Sequence, residues 1–418
     1  MRSWHALIAP LAPMMVGVSV SLCACVSAQA ESLQLSGFGS LSAYRGDDAV
    51  VGVRPGDRVK NFSQDGQWRW DGDSVLGLQA GWQLSEPLEL VWQVQLRDDL
   101  VGGLSPRTEW AYIGWRPSAD WSVRLGRQPL PIYINSETLR VGFAHTAVRP
   151  MAAVYGLNGS EPVDGINISW SQPAFEGNLS LDLGAGSNSV SLPRGRVDTQ
   201  ALLASAVRWQ QGGLSLRLGV AAYRFDLHDD ALDAQFNALM RPGSPCANCA
   251  SALPDRARTR DVEGRLINLG MNWDSGDWTL TAEATRRGGN SVFSAEVEAW
   301  YALVSRRFGA LTPYASIGAS KFKEAALGLQ ATAGSSLATV QGIAGLDRRL
   351  QSPWDRRIEL AGLRWDVHEK AALKLQYERW TATRDSSTPR DGEIHLPSGS
   401  PAWDGRVQML TVSLDFVF

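Results

Sequence analysis

The sequence predicts an all-β fold, a transmembrane antiparallel β-barrel of about sixteen strands with short turns at one end and long loops at the other. Three observations carry this. Apolar and polar residues alternate with a period of two, segment after segment. The connections between segments alternate in length. Tryptophan is abundant, at 17 residues, and gathers beside the short connections.

The last segment, Arg406–Phe418, shows the alternation most cleanly. Leu410, Val412, Leu414, Phe416 and Phe418 share one face, and Met409, Thr411, Ser413, Asp415 and Val417 share the other. A soluble sandwich would turn the apolar face inward; a membrane barrel turns it to lipid and encloses the polar face. In order, the preceding strands are expected at Leu33–Arg45, Asp73–Leu84, Leu88–Arg97, Thr108–Arg116, Trp121–Gln128, Asp164–Ser171, Asn178–Ser187 and Asp198–Gln210. They continue at Leu214–Leu227, Gly264–Asp274, Asp277–Arg287, Ala295–Arg307, Leu311–Lys323, Arg356–Val367 and Ala371–Ala382. Each is long enough to cross a bilayer as a tilted strand of about 9–11 residues. No apolar run after the N-terminal segment approaches the roughly 18 residues of a membrane helix.

Short turns such as Ser85-Glu-Pro87, Gln211-Gly-Gly213 and His368-Glu-Lys370 follow even-numbered strands. Long stretches follow most odd ones: 46–72, 130–163, 228–263, 324–355 and 383–405. An alternative of eighteen strands would hide two more in 46–72 or 324–355. Trp82, Trp115, Trp121, Trp170, Trp209, Trp273, Trp278 and Trp365 all lie near short turns. An amphipathic indole prefers the headgroup region, so these eight predict one girdle.

Arg2, an apolar run from Ala6 to about Leu22 and then Ala28-Gln-Ala30 have the form of a secretory signal. The expected division is a signal peptide over residues 1–30 and a barrel over 31–418. Lipoprotein processing at Cys25 is the rival, with Cys23 standing where a small residue is usual. The net charge of −3 offers no electrostatic attraction to nucleic acid. Beyond the signal only Cys246 and Cys249 remain, and the expectation is a small disulfide in an exposed loop of an exported protein.

Sixteen strands, a terminal Phe418 and a long third loop resemble the Gram-negative outer-membrane porin superfamily. Trp110-Ala-Tyr-Ile-Gly-Trp-Arg-Pro117 through Val123-Arg-Leu-Gly-Arg-Gln128 is similar to the hairpin that leads into the third loop of such porins. The Pro-Glu-Phe-Gly-Gly motif of enterobacterial third loops is absent. The resemblance implies a passive diffusion channel for small hydrophilic solutes or ions in the outer membrane, with no catalysis and no cofactor. It implies a homotrimer surrounded by outer-membrane lipid and lipopolysaccharide, and a loop three (130–163) that folds into the bore. Constriction residues are then expected among Glu137, Arg140, Arg149, Glu161 and Asp164 on the loop and Arg97, Arg124 and Arg127 on the wall. A transverse field between loop acids and wall bases is the physical requirement. By strand phase, Arg208, Arg217, Arg287, Arg306, Arg364 and Lys374 also face inward, as do Asp182, Glu283, Glu296, Glu298 and Glu378.

A barrel enzyme is one alternative, and an eighteen-stranded substrate-specific channel is another. His228-Asp-Asp230 at a strand top would suit a rim protease or a metal, given further carboxylates there. A barrel lipase would need Ser, His and Asn on the outer wall, and no strand carries such a His. No Gly-x-Ser-x-Gly elbow or phosphate-binding glycine loop occurs.

Overall fold

The computed structural model describes residues 33–418 apart from 57–58, 99–100, 102, 158–160, 324–326, 351–354, 383–392 and 398–402. Sixteen antiparallel strands close into a barrel. They are β1 (Leu33–Gly46), β2 (Val75–Ser85), β3 (Leu88–Arg97), β4 (Ser105–Trp115), β5 (Trp121–Gln128), β6 (Val163–Ala174), β7 (Gly177–Leu192) and β8 (Gly195–Gln211). The second half comprises β9 (Leu214–His228), β10 (Val262–Asp274), β11 (Trp278–Gly289), β12 (Val297–Arg306), β13 (Leu311–Phe322), β14 (Arg356–His368), β15 (Ala371–Ala382) and β16 (Arg406–Val417). Each strand pairs with its sequence neighbours, and β1 closes the ring by pairing with both β2 and β16. A closed barrel leaves no strand edge unpaired, which hydrocarbon would otherwise penalise.

The alternation is realised as read. Leu410, Val412, Leu414, Phe416 and Phe418 turn outward, while Met409, Thr411, Ser413 and Asp415 are buried inside. At the seam, Gly37 and Phe418 exchange two backbone hydrogen bonds of 2.9 Å. The Phe418 ring covers Gly37 and the Phe416 ring covers Gly39. A Cβ on either glycine would come within 2.3–2.4 Å of the ring. The missing side chains are what seat the terminal aromatics on β1.

All eight turn-proximal tryptophans lie on the outward phase. Trp121 stands directly opposite Trp170, and Leu311 opposite Trp365. Trp92 and Trp300, midway along β3 and β12, are half-exposed on the same outer face.

Among the described residues the wall has sixteen strands and not eighteen. Residues 46–72 carry a two-residue strand, Gly52–Val53, paired with Ile394–His395. Their other short strand, Trp68–Arg69, lies along the upper end of β1. The described part of 324–355 folds as helix α4 (Leu337–Arg349), N-capped by Ser336. Between β5 and β6 lies the one-turn helix α1 (Ala152–Tyr155), and between β9 and β10 lie α2 (Asp230–Met240) and α3 (Cys249–Arg256). Helices α2, α3 and α4 form a small second core with Phe236, Leu253, Ile343 and Leu346 at its centre. Cys246 and Cys249 are disulfide-bonded. The expected exposed setting is corrected: both sulfur-bearing residues are buried in this core, because α3 and the 327–331 segment fold over them.

Candidate functional site: the loop-three constriction

Loop three leaves β5 at Pro129 and returns to β6 at Pro162. It does not stay outside. Leu130, Tyr133, Val148 and the segment Met151–Tyr155 are buried within the barrel. An irregular backbone at this depth is tolerable only where its polar groups find partners or water. The wall supplies them.

Part of the seat is steric. Inward glycines on separate strands lie beneath the loop. A Cβ on Gly184 (β7) would meet Leu130 at 2.6 Å, and one on Gly219 (β9) would meet the Ile132 carbonyl at 2.2 Å. One on Gly270 (β10) would meet Ile134 at 2.8 Å. The bare wall lets the loop lie close against it.

The rest is charge and hydrogen bonding. On the β14–β16 side, the Lys374 ammonium donates to the carbonyls of Gly142 (2.7 Å), His145 (2.7 Å) and Ala147 (3.0 Å). Arg364 donates to the Phe143 (2.9 Å) and His145 (2.8 Å) carbonyls. On the β11–β12 side, the Tyr155 hydroxyl donates to Glu283 at 2.5 Å and accepts from the Asn135 N–H at 3.0 Å. Glu283 also accepts from Asn268 (3.1 Å) and Tyr301 (3.3 Å). Arg217 donates to the Pro131 carbonyl at 2.7 Å, and Arg287 donates to that of Leu157. Wall cations thus cap loop carbonyls, as free helix ends are capped elsewhere.

Beside β1–β3 the loop stops short of the wall. A cavity of about 160 Å³ remains, with Ser40, Ser74 and Arg97 on the wall side and Arg140, Arg149 and Tyr155 on the loop side. Around it Arg97 pairs with Glu109 at 3.0 Å and with Glu161 at 3.4 Å, and Glu161 pairs with Arg140 at 3.2 Å. Arg149 pairs with Asp73 at 2.8 Å, pairs with Glu378 and donates to the Thr411 hydroxyl at 3.0 Å. Burial pushes the Arg149 guanidinium down, but the carboxylates of Asp73 and Glu378 outweigh it and raise its affinity for the proton. Charges of both signs therefore face one another across this gap.

Of the expected constriction residues, Arg97, Arg140, Arg149 and Glu161 meet at this gap. Glu137 pairs with Arg124 at 2.7 Å, and both stay partly open to the lumen. Arg127 and Asp164 are corrected. They pair with each other at 2.6 Å, but on the outward phase of β5 and β6, because both strands keep strict alternation up to the loop. Neither faces the bore. Glu298 and Arg306, expected inward, are corrected as well: they share the outward phase of β12 with Trp300, because the strand alternates with Val297, Ala299, Tyr301 and Ser305 inward. Arg306 stacks on the Trp278 and Phe308 rings, and Glu298 sits beside Arg286 at 3.7 Å. Glu296 precedes β12 and pairs with Lys323 at 3.0 Å among the loops. Sequence reasoning missed Asp73, Tyr155 and Asp415 as members of the network. Asp73 and Asp415 carried only the signal of an acid on an inward phase.

His145, itself part of loop three, is buried, its Nε2 donating to the Thr138 carbonyl at 2.7 Å. Burial, reinforced by the Lys374 charge, holds its pKa down at about 4. At the rim, His228 meets Asp198 at 3.0 Å, and Asp229 caps α2. Among the described residues no cluster of His, Cys, Asp and Glu could hold a metal.

No protein-family model matches the chain, and no curated protein matches it in sequence. Solved structures do match in fold. An anion-selective porin from Comamonas acidovorans superposes over 93% of this chain and 99% of its own, with a TM-score of 0.52 and 14% identity. OmpF of Salmonella typhi, solved with daunomycin, covers 92% and 97% at a TM-score of 0.54 and 12% identity. The chain is a porin-like β-barrel. The outer-membrane channel DcaP of Acinetobacter baumannii also matches, over 92% and 97%, with a TM-score of 0.52 and 12% identity. An apolar outer face, an aromatic girdle and a closed wall give this porin-like barrel the architecture of the outer membrane.

Proposed function

We propose that this barrel is a passive diffusion channel for small hydrophilic solutes or ions, that it catalyses no reaction, and that loop three sets its selectivity. The observation that carries the proposal is the gap beside β1–β3, where Arg97, Arg140 and Arg149 stand against Asp73 and Glu161. A field running across a narrow aqueous passage orders a polar solute and discriminates by charge. Sixteen strands leave a bore of the right size, since about 16–18 strands enclose an aqueous channel. Three guanidiniums and four carboxylates, Asp73, Glu109, Glu161 and Glu378, meet around the gap, so the mixed signs make the pore general or weakly selective.

Purified protein in a planar bilayer should insert with stepwise conductance. Under a salt gradient, Arg140→Gln should move the reversal potential toward cation preference. A protein that inserts without conducting refutes the channel. One that conducts with an unmoved potential refutes the assignment of the gap.

Export through a signal at residues 1–30, which lie outside the described residues, belongs to the same reading. So does assembly as a homotrimer in lipid and lipopolysaccharide, a state also recorded for OmpT of Vibrio cholerae at a TM-score of 0.50. Electrophoresis of unheated protein should show a band of trimer mass.

A further inference from the structure

The inward faces of β7–β10 change chemistry half-way along. Toward the short turns they present Asp182, Arg208, Arg217 and Asn268. Toward the long loops the same faces present Val190, Leu202, Phe225 and Leu266. Apolar side chains turned to a wet lumen cost free energy in proportion to the area left in water. Loop three covers part of this patch with Leu130 and Ile132. It leaves a cavity of about 250 Å³ between itself and the four strands. An apolar cavity of about 150 Å³ takes up benzene, so this one has room for a substituted ring.

The rim of the cavity is polar. Asn188 donates its Nδ2 to the Pro162 carbonyl at 3.2 Å, and its buried Oδ1 has no hydrogen-bond partner among the described residues. Ser136 Oγ accepts from the N–H groups of Ile132 (3.2 Å) and Tyr133 (2.8 Å), and among the described residues it donates to none. Glu161, which also lines the cavity, is the carboxylate that binds Arg97 and Arg140. An acceptor and a donor at the edge of an apolar chamber suit a ligand with one hydroxyl. Arg287 also lines the cavity but donates to the Leu157 carbonyl, so both charged groups are engaged, and a charged ligand would lose its hydration against walls that are otherwise mostly aliphatic and aromatic.

We propose that this cavity is a binding site for compact, uncharged aromatic solutes of the phenol class, held on the long-loop side of loop three. Glu161 belongs both to this site and to the gap, so the bound solute waits beside the charged passage. That last placement rests on the channel reading; occupancy of the cavity does not.

The test uses the full-length barrel in detergent micelles with p-cresol as probe, read by saturation-transfer NMR. The expected result is saturable transfer to p-cresol and none to glucose. Ala221→Phe fills the cavity from β9, and Leu202→Asp makes its wall polar. Each should weaken binding by about tenfold or more, with the heat-modifiable mobility of a folded barrel retained. Equal transfer in the parent and both variants would mean partition into detergent and would overturn the site. So would transfer no greater than that to glucose. Conductance is recorded separately on the same samples. A barrel that binds p-cresol yet passes no current sinks the channel and leaves the site standing. One that conducts yet binds nothing does the reverse.

Discussion

Lys374 and Asp415 stand 2.8 Å apart on the inner faces of β15 and β16, and neither side chain reaches solvent. The three protons of the ammonium are directed at loop-three carbonyls. Asp415 therefore balances the charge electrostatically, while its Oδ1 accepts from Ser413 at 2.7 Å. Gly142 rests on the pair so closely that a Cβ there would lie 2.4 Å from Asp415 Oδ1. One buried ion pair thus fastens the middle of loop three to the wall.

Lys374→Met removes both the anchor and the countercharge. Breaking one side of a buried pair costs about 3–5 kcal/mol. The thermal transition of the barrel should fall, and single-channel recordings should become noisier as the loop loosens. Adding Asp415→Asn should recover part of the lost stability. A double variant no better than the single would show that the pair is not the fastening.

The pair Arg124–Glu137 joins β5 to loop three while partly open to water. An exposed pair contributes only about 0–1 kcal/mol. Glu137→Gln and Arg124→Gln should therefore leave the melting temperature nearly unchanged. They should move the reversal potential in opposite directions, toward anions and toward cations respectively. Identical potentials in both variants and the parent would remove this pair from the passage.

His145 couples the loop to pH. Its folded pKa of about 4 lies below the unfolded value of 6.5. The native state resists taking up a proton that the unfolded chain accepts readily. Stability is then full above about pH 6.5 and falls as the pH drops toward 4, by up to roughly 3 kcal/mol. Melting temperatures measured across that window should decline, and His145→Gln should flatten the decline. An equal slope in the variant would assign it to other groups.

Cys246 and Cys249 close a loop too short to restrain the unfolded chain much. Their sulfurs instead fill the core that α2, α3 and α4 share. Replacing both with Ser should leave barrel melting unchanged and speed tryptic cleavage at Arg241 or Arg256 in the outer cap. Unchanged cleavage would show that the helices hold without the bond.

Gly219 tests the steric seat. Its Cβ would meet the Ile132 carbonyl at 2.2 Å, a backbone atom with little freedom to yield. Gly219→Val should shift loop three and change the conductance, with strand content by circular dichroism preserved. Parent-like conductance would mean that the loop does not depend on the bare wall.

The wall was legible in the sequence because its signals are local. Period-two alternation, turn residues and tryptophans beside short turns each act within a dozen residues, and hydrocarbon on one side and water on the other enforce them everywhere. The exceptions were also local: Arg127 and Asp164 keep the strand phase, although their nearness to loop three suggested otherwise, and Glu298 and Arg306 follow Trp300 to the outer face of β12. The constriction was legible only as a set of charged candidates. Arg149 meets Glu378 across 229 positions of chain, and Lys374 meets Gly142 across 232. No spacing rule links residues so far apart. Closure of the barrel decides which wall cation lies under which loop carbonyl, and that closure is a property of all sixteen strands together.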